Sequence, residues 1–161
     1  MPFYYDVNRS TTTNAAVGTE TTHLWAATVS NQQSMGIYAV YFAPFGTAAT
    51  GAAVGRVKTN MGPTAAGGTA TTPKARSLLA PAAQSVWKND ASAITAGAAL
   101  TTRISIGFAQ GGGIGAWSPR DSSAKVQMMG NASNPVDIEF TSIASAGGVP
   151  FDVTVEFTEG I

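Results

Sequence analysis

The chain has no cysteine, a single histidine and little charge. Without cysteine there are no disulfides and no thiolate metal sites, though a cysteine-free chain fits any compartment. One histidine, His23, cannot build a multi-histidine zinc site. A Ser-His-Asp relay would have to use it, and the chain contains no G-x-S-x-G turn to carry the nucleophile. Charged residues are 11% of the chain, against about 25% in typical domains, and the net charge is zero. A nucleic-acid binder needs a basic face to neutralise phosphates, so that class is excluded. Disorder goes with high charge and low hydrophobicity, and the chain has neither. No run approaches the ~20 apolar residues that cross a bilayer as a helix. Met1–Asp6 has no basic segment and no apolar core of a signal peptide, so folding in a cytoplasm is expected.

What is present is small residues: 28 Ala, 20 Thr and 18 Gly among 161 positions. A surface of this kind has little charge to desolvate, and charge depletion marks the centres of protein interfaces. A chain of this length buries roughly 70% of its unfolded surface, enough for a core without staples. One globular domain over residues 23–161 is expected, preceded by an N-terminal arm over 1–22. The polar, aperiodic run Asn8–Thr22 is the basis for the arm, and such termini stay loose unless tied down.

The clearest element is Val149–Thr158. Val149, Phe151, Val153, Val155 and Phe157 alternate with Pro150, Asp152, Thr154, Glu156 and Thr158. Period two places these sets on opposite faces of a strand, one apolar and one polar. Met35–Phe42 is apolar throughout, the pattern of a central strand covered on both sides. Further strands are predicted at His23–Ser30, Ala52–Thr59, Leu100–Phe108, Ala124–Gly130 and Val136–Thr141. Arg56 and Lys58 flank Val57, which suggests an edge or a solvated face. Val136–Thr141 and the final strand read as a hairpin-like pair. Trp117–Asp121 reads as a turn, and Gln110–Gly115 as a flexible glycine loop. Thr69–Ala75 carries Pro73 and can be an edge strand at most. Asn60–Leu100 as a whole is too long for an idle loop and is expected to wrap the body or a neighbour. No helix is predicted; Arg76–Val86 holds one helical turn at most before Pro81. The fold class is therefore all-β, an antiparallel β-sandwich of jelly-roll-like form with long loops.

No catalytic, metal or cofactor site is found. Asp137 with Glu139, and Asp152 with Glu156, share faces in the manner of a carboxylate pair. Their alternation with apolar residues makes them solvated faces instead. Gly111–Gly115 lacks the G-K-[ST] of a phosphate loop. Trp117 and Arg120 are residue types that dominate interface hot spots, and Phe3, Tyr4 and Tyr5 form an aromatic start. All of these, with Arg9 of the arm, are candidate contacts to another protein. Trp117 and the aromatic start serve equally well as plugs of the sandwich, and both readings stand.

Taken together, these features resemble the decoration, or cement, proteins of tailed bacteriophages. The resemblance is carried by Leu24–Trp25, Met35–Phe42, Thr71-Thr72-Pro73, Trp117-Ser118-Pro119-Arg120, and the closing segment from Asn134-Pro135-Val136 to Phe157. It implies a homotrimer on the outside of an icosahedral capsid, with the major capsid protein as partner and no enzymatic activity, cofactor, nucleic acid or membrane. The arm and the Asn60–Leu100 loop are the expected clamps. Two rivals remain from the sequence. One is a carbohydrate-binding sandwich, such as a lectin or fibre tip, using Trp117, Trp87 and Asn89. The other is a tail or baseplate component of similar form.

Overall fold

A computed structural model describes residues 2–12, 20–29, 34–45, 52–61, 67–89, 101–109, 112–120, 126–129, 136–144 and 149–160. For 12, 20–29, 60–61, 128–129 and 136–144 only the backbone is described. The strands are β1 (Phe3–Thr12), β2 (Glu20–Val29), β3 (Ser34–Pro44), β4 (Ala52–Met61), β5 (Thr69–Thr71) and β6 (Lys74–Ala75). They continue with β7 (Val86–Asn89), β8 (Thr101–Ala109), β9 (Gly115–Trp117), β10 (Val126–Met129), β11 (Val136–Ala144) and β12 (Pro150–Glu159). No helix occurs among the described residues.

Two six-stranded sheets form. The first runs β10-β3-β12-β1-β6, with β9 beside β10 on the same edge of β3; the second runs β5-β7-β2-β11-β4-β8. Every strand pairing is antiparallel. The pairs β1·β12, β2·β11, β3·β10 and β4·β8 are nested in sequence. The chain thus behaves as one long hairpin folded between β4 and β8 and rolled so that its strands fall alternately in the two sheets. That is the jelly roll.

The alternation of the last strand is realised from Val149 to Phe157 and ends at Thr158, which is buried although it belongs to the polar set. Val149, Phe151, Val153, Val155 and Phe157 are all completely buried, at the centre of the first sheet between β3 and β1. Burying such a side chain stabilises by about 1.5–3 kcal/mol. Across the sandwich, Phe108 of β8 stacks on Phe42 of β3 at 5.1 Å between ring centres and tilts against Phe151 at 5.0 Å. Trp87 of β7 packs on Phe157 at 4.8 Å. Gly55 of β4 makes the aromatic stack possible, since a Cβ there would lie 2.2 Å from the Phe42 ring.

Five expectations change. First, β3 is central, but its apolar run does not mean cover on both sides. Its register with β12 slips by one residue, pairing Glu156 with Ala39 and Phe157 with Ile37. Tyr38 is the extra residue of this bulge. It switches the large inward side chains from Met35 and Ile37 to Val40 and Phe42, while the small residues Gly36 and Ala39 are buried as well and Tyr38 is exposed. Second, of the two readings of Arg56 and Lys58, an edge or a solvated face, the solvated face holds and the edge does not. β4 lies between β11 and β8, and its basic residues occupy the outer face while Val57 is buried. Third, β11 and β12 are not a hairpin. They lie in different sheets, because rolling the long hairpin separates sequential strands. Fourth, Gly115–Trp117 is strand β9, paired with Val40–Phe42. Ahead of it, Gly112 N–H bonds Ala109 O at 3.0 Å and Gly113 has a φ of +97°. Fifth, Phe3–Thr12 is no arm. It pairs with β12 along its entire length, which leaves that segment no freedom to act as a loose clamp.

The 67–89 stretch wraps the body, as its length suggests. β5 and β7 extend the second sheet beyond β2, and β6 extends the first beyond β1. Thr72-Pro73 hands the chain from one sheet edge to the other, where a proline removes no ladder hydrogen bond.

Candidate interaction surface

Among the described residues, the wrapping stretch carries the two most exposed large apolar side chains. Leu78 is 106% exposed and Leu79 is 92% exposed. They form the tip of a turn in which Ser77 accepts two hydrogen bonds, Ala80 N–H to its carbonyl at 3.1 Å and Leu79 N–H to its hydroxyl at 3.2 Å.

Both flanks of this turn are tied to the terminal strands. On one side, Arg76 N–H bonds Tyr4 O at 3.0 Å, and the Arg76 guanidinium pairs with Glu156 and lies 3.9 Å from Asp6. On the other side, Tyr5 OH donates to Pro81 O at 2.9 Å. The Glu159 carboxylate then accepts Gln84 N–H at 2.7 Å, Ser85 N–H at 3.0 Å and the Ser85 hydroxyl. Trp87 Nε1–H donates to Ser85 Oγ at 2.8 Å, which completes the network. A buried carboxylate is tolerated when its lone pairs are satisfied in this way. Burial pushes the Tyr5 phenol above its ordinary pKa, and the charge of Glu159 adds to the rise, so it stays protonated and able to donate. The leucine tip is therefore an apolar projection on an ordered base.

A second apolar area lies at the opposite end of the sandwich. Phe45, just past β3, is 46% exposed, and its N–H bonds Pro150 O at 3.0 Å. Ile114 is 65% exposed and precedes Gly115, which pairs with Phe42 near that end of β3.

The candidate contact residues are scattered. Phe3 and Tyr4 are exposed at the leucine end, and Tyr4 meets Tyr38 edge to face at 5.9 Å. Tyr5 is 1% exposed and stacks on Phe157, so it belongs to the core and offers no surface to a partner. Its odd parity on β1 sends it inward with Val7. Arg9 has the same parity and is half-buried. Trp117 is half-buried against the core, and Arg120 is exposed three residues beyond β9. Trp87 is fully buried, which removes it from any sugar platform with Trp117 and Asn89. His23, Asp137 and Glu139 lie on strands whose side chains are outside the described residues. Asp152 bonds Ser10 and Glu156 bonds Arg76, as polar groups on a solvated face do.

Sequence reasoning missed Leu78 and Leu79. Their signal was an apolar pair inside a turn-rich stretch with no alternation to bury it.

No family model and no curated protein matches the chain. Among solved structures, a chain in the structure of infectious bursal disease virus Gx strain is similar at 16% identity and a TM-score of 0.19. The likeness covers 98% of this chain and 42% of that one, so this chain spans less than half its length. At that score it carries no argument, and the jelly roll rests on strand order alone.

Proposed function

We propose that this chain is a structural protein of a virion. In this reading it is a non-enzymatic capsid decoration protein, a homotrimer on the outside of an assembled shell. The single observation that carries the reading is the Leu78–Leu79 pair, fully exposed on an anchored turn of a charge-poor body. Two leucines kept in water forgo roughly 3–6 kcal/mol of burial. An ordered turn that displays them is built for contact with protein, because little entropy remains to be lost on binding. The jelly roll is compatible, being common in capsid and lectin domains, though a fold does not by itself specify a function.

The mechanism is mass action. A protein that binds the assembled shell and not its free subunits stabilises the shell. One small apolar contact cannot offset the roughly 4–15 kcal/mol lost on association, so single contacts are weak. A trimer that engages several capsid subunits gains avidity only where they are already arrayed.

The test is co-sedimentation of the purified chain with assembled capsids, and separately with unassembled capsid subunits, of the virus that encodes it. Saturable binding to capsids alone, with raised capsid melting temperature, is expected. Absence of binding to capsids overturns the reading.

One observation favours a second reading, a carbohydrate-binding module. Tyr4 and Tyr38 are exposed, lie edge to face, and adjoin polar groups of β1 and β12. Such rings stack on sugar faces. A glycan array in which Tyr4→Ala abolishes a specific signal supports it, and an array without signal removes it.

A further inference from the structure

We propose that the Leu78–Leu79 turn and the terminal ends of β1 and β12 open and close as one unit, each fixing the order of the other. This goes beyond the proposed function and rests on it only for what meets the leucines.

Packing does not hold the turn. Within residues 76–84 no side chain is buried, and Ala83 alone packs against the core. No strand runs through these residues. Hydrogen bonds to β1 and β12 hold them instead. Tyr4 O accepts Arg76 N–H, and Asp6 and Glu156 face the Arg76 guanidinium. The Tyr5 phenol donates to Pro81 O, and Glu159 accepts Gln84 N–H, Ser85 N–H and the Ser85 hydroxyl. Fraying of the two strand ends withdraws these supports together.

The dependence also runs the other way. Strand ends beside chain termini are where sheets fray. Glu159 is the last residue of β12 and pairs with Phe3, the first of β1. Its side chain is buried, and the donors of residues 84–85 are what make that burial tolerable. When they leave, the carboxylate returns to water and draws the end of β12 off its ladder. Tyr5 is buried on Phe157, and without Pro81 O its phenol becomes a buried donor with no acceptor. Trp87 lies on the same Phe157 ring from the second sheet and donates to Ser85. The unit therefore spans both sheets, and opening either half alone orphans buried polar groups in the other.

Coupling of this kind is reciprocal. A partner that orders the leucines also fastens the chain ends. A change at Glu159, buried and outside the turn, alters how the leucines are displayed.

Amide hydrogen exchange of the intact chain, in urea below the unfolding transition, tests this. The amides of Leu79, Ala80 and Ser85 and those of residues 3–6 and 156–159 are expected to share one opening free energy. That value is expected to lie below the one for Val153 and Val155, at the middle of β12. Tyr5→Phe keeps the buried ring and removes one bond between the halves. It is expected to speed exchange about fivefold at Leu79 and Ala80, and equally at the strand ends. Pro81→Gly acts from the other side. It keeps the carbonyl acceptor but gives the open turn more freedom, and is expected to speed exchange at the strand ends as much as at the turn.

Separate opening free energies for turn and strand ends overturn the inference, and the wild type alone decides this. Exchange of both only together with the middle of β12 overturns it, as does a Pro81→Gly effect confined to the turn. Coupled exchange in a chain that ignores capsids upholds it and overturns the proposed function instead.

Discussion

Glu159, at the end of β12, receives Ser85 through both the backbone N–H and the hydroxyl, across 74 residues of sequence. The C-terminal strand thereby holds the connection that displays the leucines. Four interactions converge on this corner: the Glu159 bonds, the Trp87 indole on Ser85, the Tyr5 phenol on Pro81, and Arg76 on Glu156.

Glu159→Ala leaves the Gln84 and Ser85 donors without their acceptor. Buried donors stripped of a charged partner cost about 2–3 kcal/mol. Urea unfolding is expected to show that loss. Glu159→Gln, which keeps an acceptor oxygen, is expected to lose about half as much.

Tyr5 gives the fold an alkaline limit. Its folded pKa lies above the ordinary 10.0, raised first by burial and then by the charge of Glu159. Above about pH 10 the unfolded chain has lost the phenol proton while the folded chain retains it. The native state then binds more protons, and stability falls as pH rises. The Tyr5 contribution is complete below pH 10 and disappears as pH passes through the folded value. Melting curves between pH 8 and 11 are expected to show a decline in the wild type that is reduced in Tyr5→Phe. At pH 7 that variant loses about 1 kcal/mol with its hydrogen bond to Pro81.

Two glycines of the second sheet predict opposite outcomes. Gly55→Ala drives a methyl into the Phe42 ring and is expected to destabilise by about 1–3 kcal/mol or more. Gly107→Ala meets nothing within 4 Å and is expected to be neutral or slightly stabilising, because alanine lowers unfolded-chain entropy. Thermal unfolding of both variants checks the contrast.

Leu78 and Leu79 contribute nothing to the core. Replacing both by Ser is expected to shift monomer stability by no more than about 0.5 kcal/mol. A larger loss in urea would mean that the turn packs on its own chain.

The last strand is legible in the sequence because its apolar and polar residues alternate without a break, and one unbroken parity means one buried face. The same rule misleads at Met35–Phe42. There a bulge at Tyr38 changes parity midway, so the large inward side chains sit on both parities of the run. The arm misleads in a different way. Asn8–Thr12 is polar and looks unfolded, yet its backbone completes the ladder of β12, and ladder bonds do not depend on side-chain polarity. Of the candidate contacts, Phe3, Tyr4 and Arg120 reach the surface and Tyr5 does not: Tyr4 and Tyr5 part by strand parity, while Phe3 shares the parity of Tyr5 but stands at the exposed start of β1.

By itself the sequence determined the helix-free class, the short alternating strands and the charge-poor surface, because these depend on local period and composition. Only the tertiary structure decided which strands pair, since rolling the hairpin places β11 and β12 in separate sheets. It also decided that Leu78 and Leu79 stand in water while Trp87 is buried. What separates them is place in the fold: Trp87 points inward from β7, paired with β2, and packs on Phe157, while the leucines form the tip of a turn.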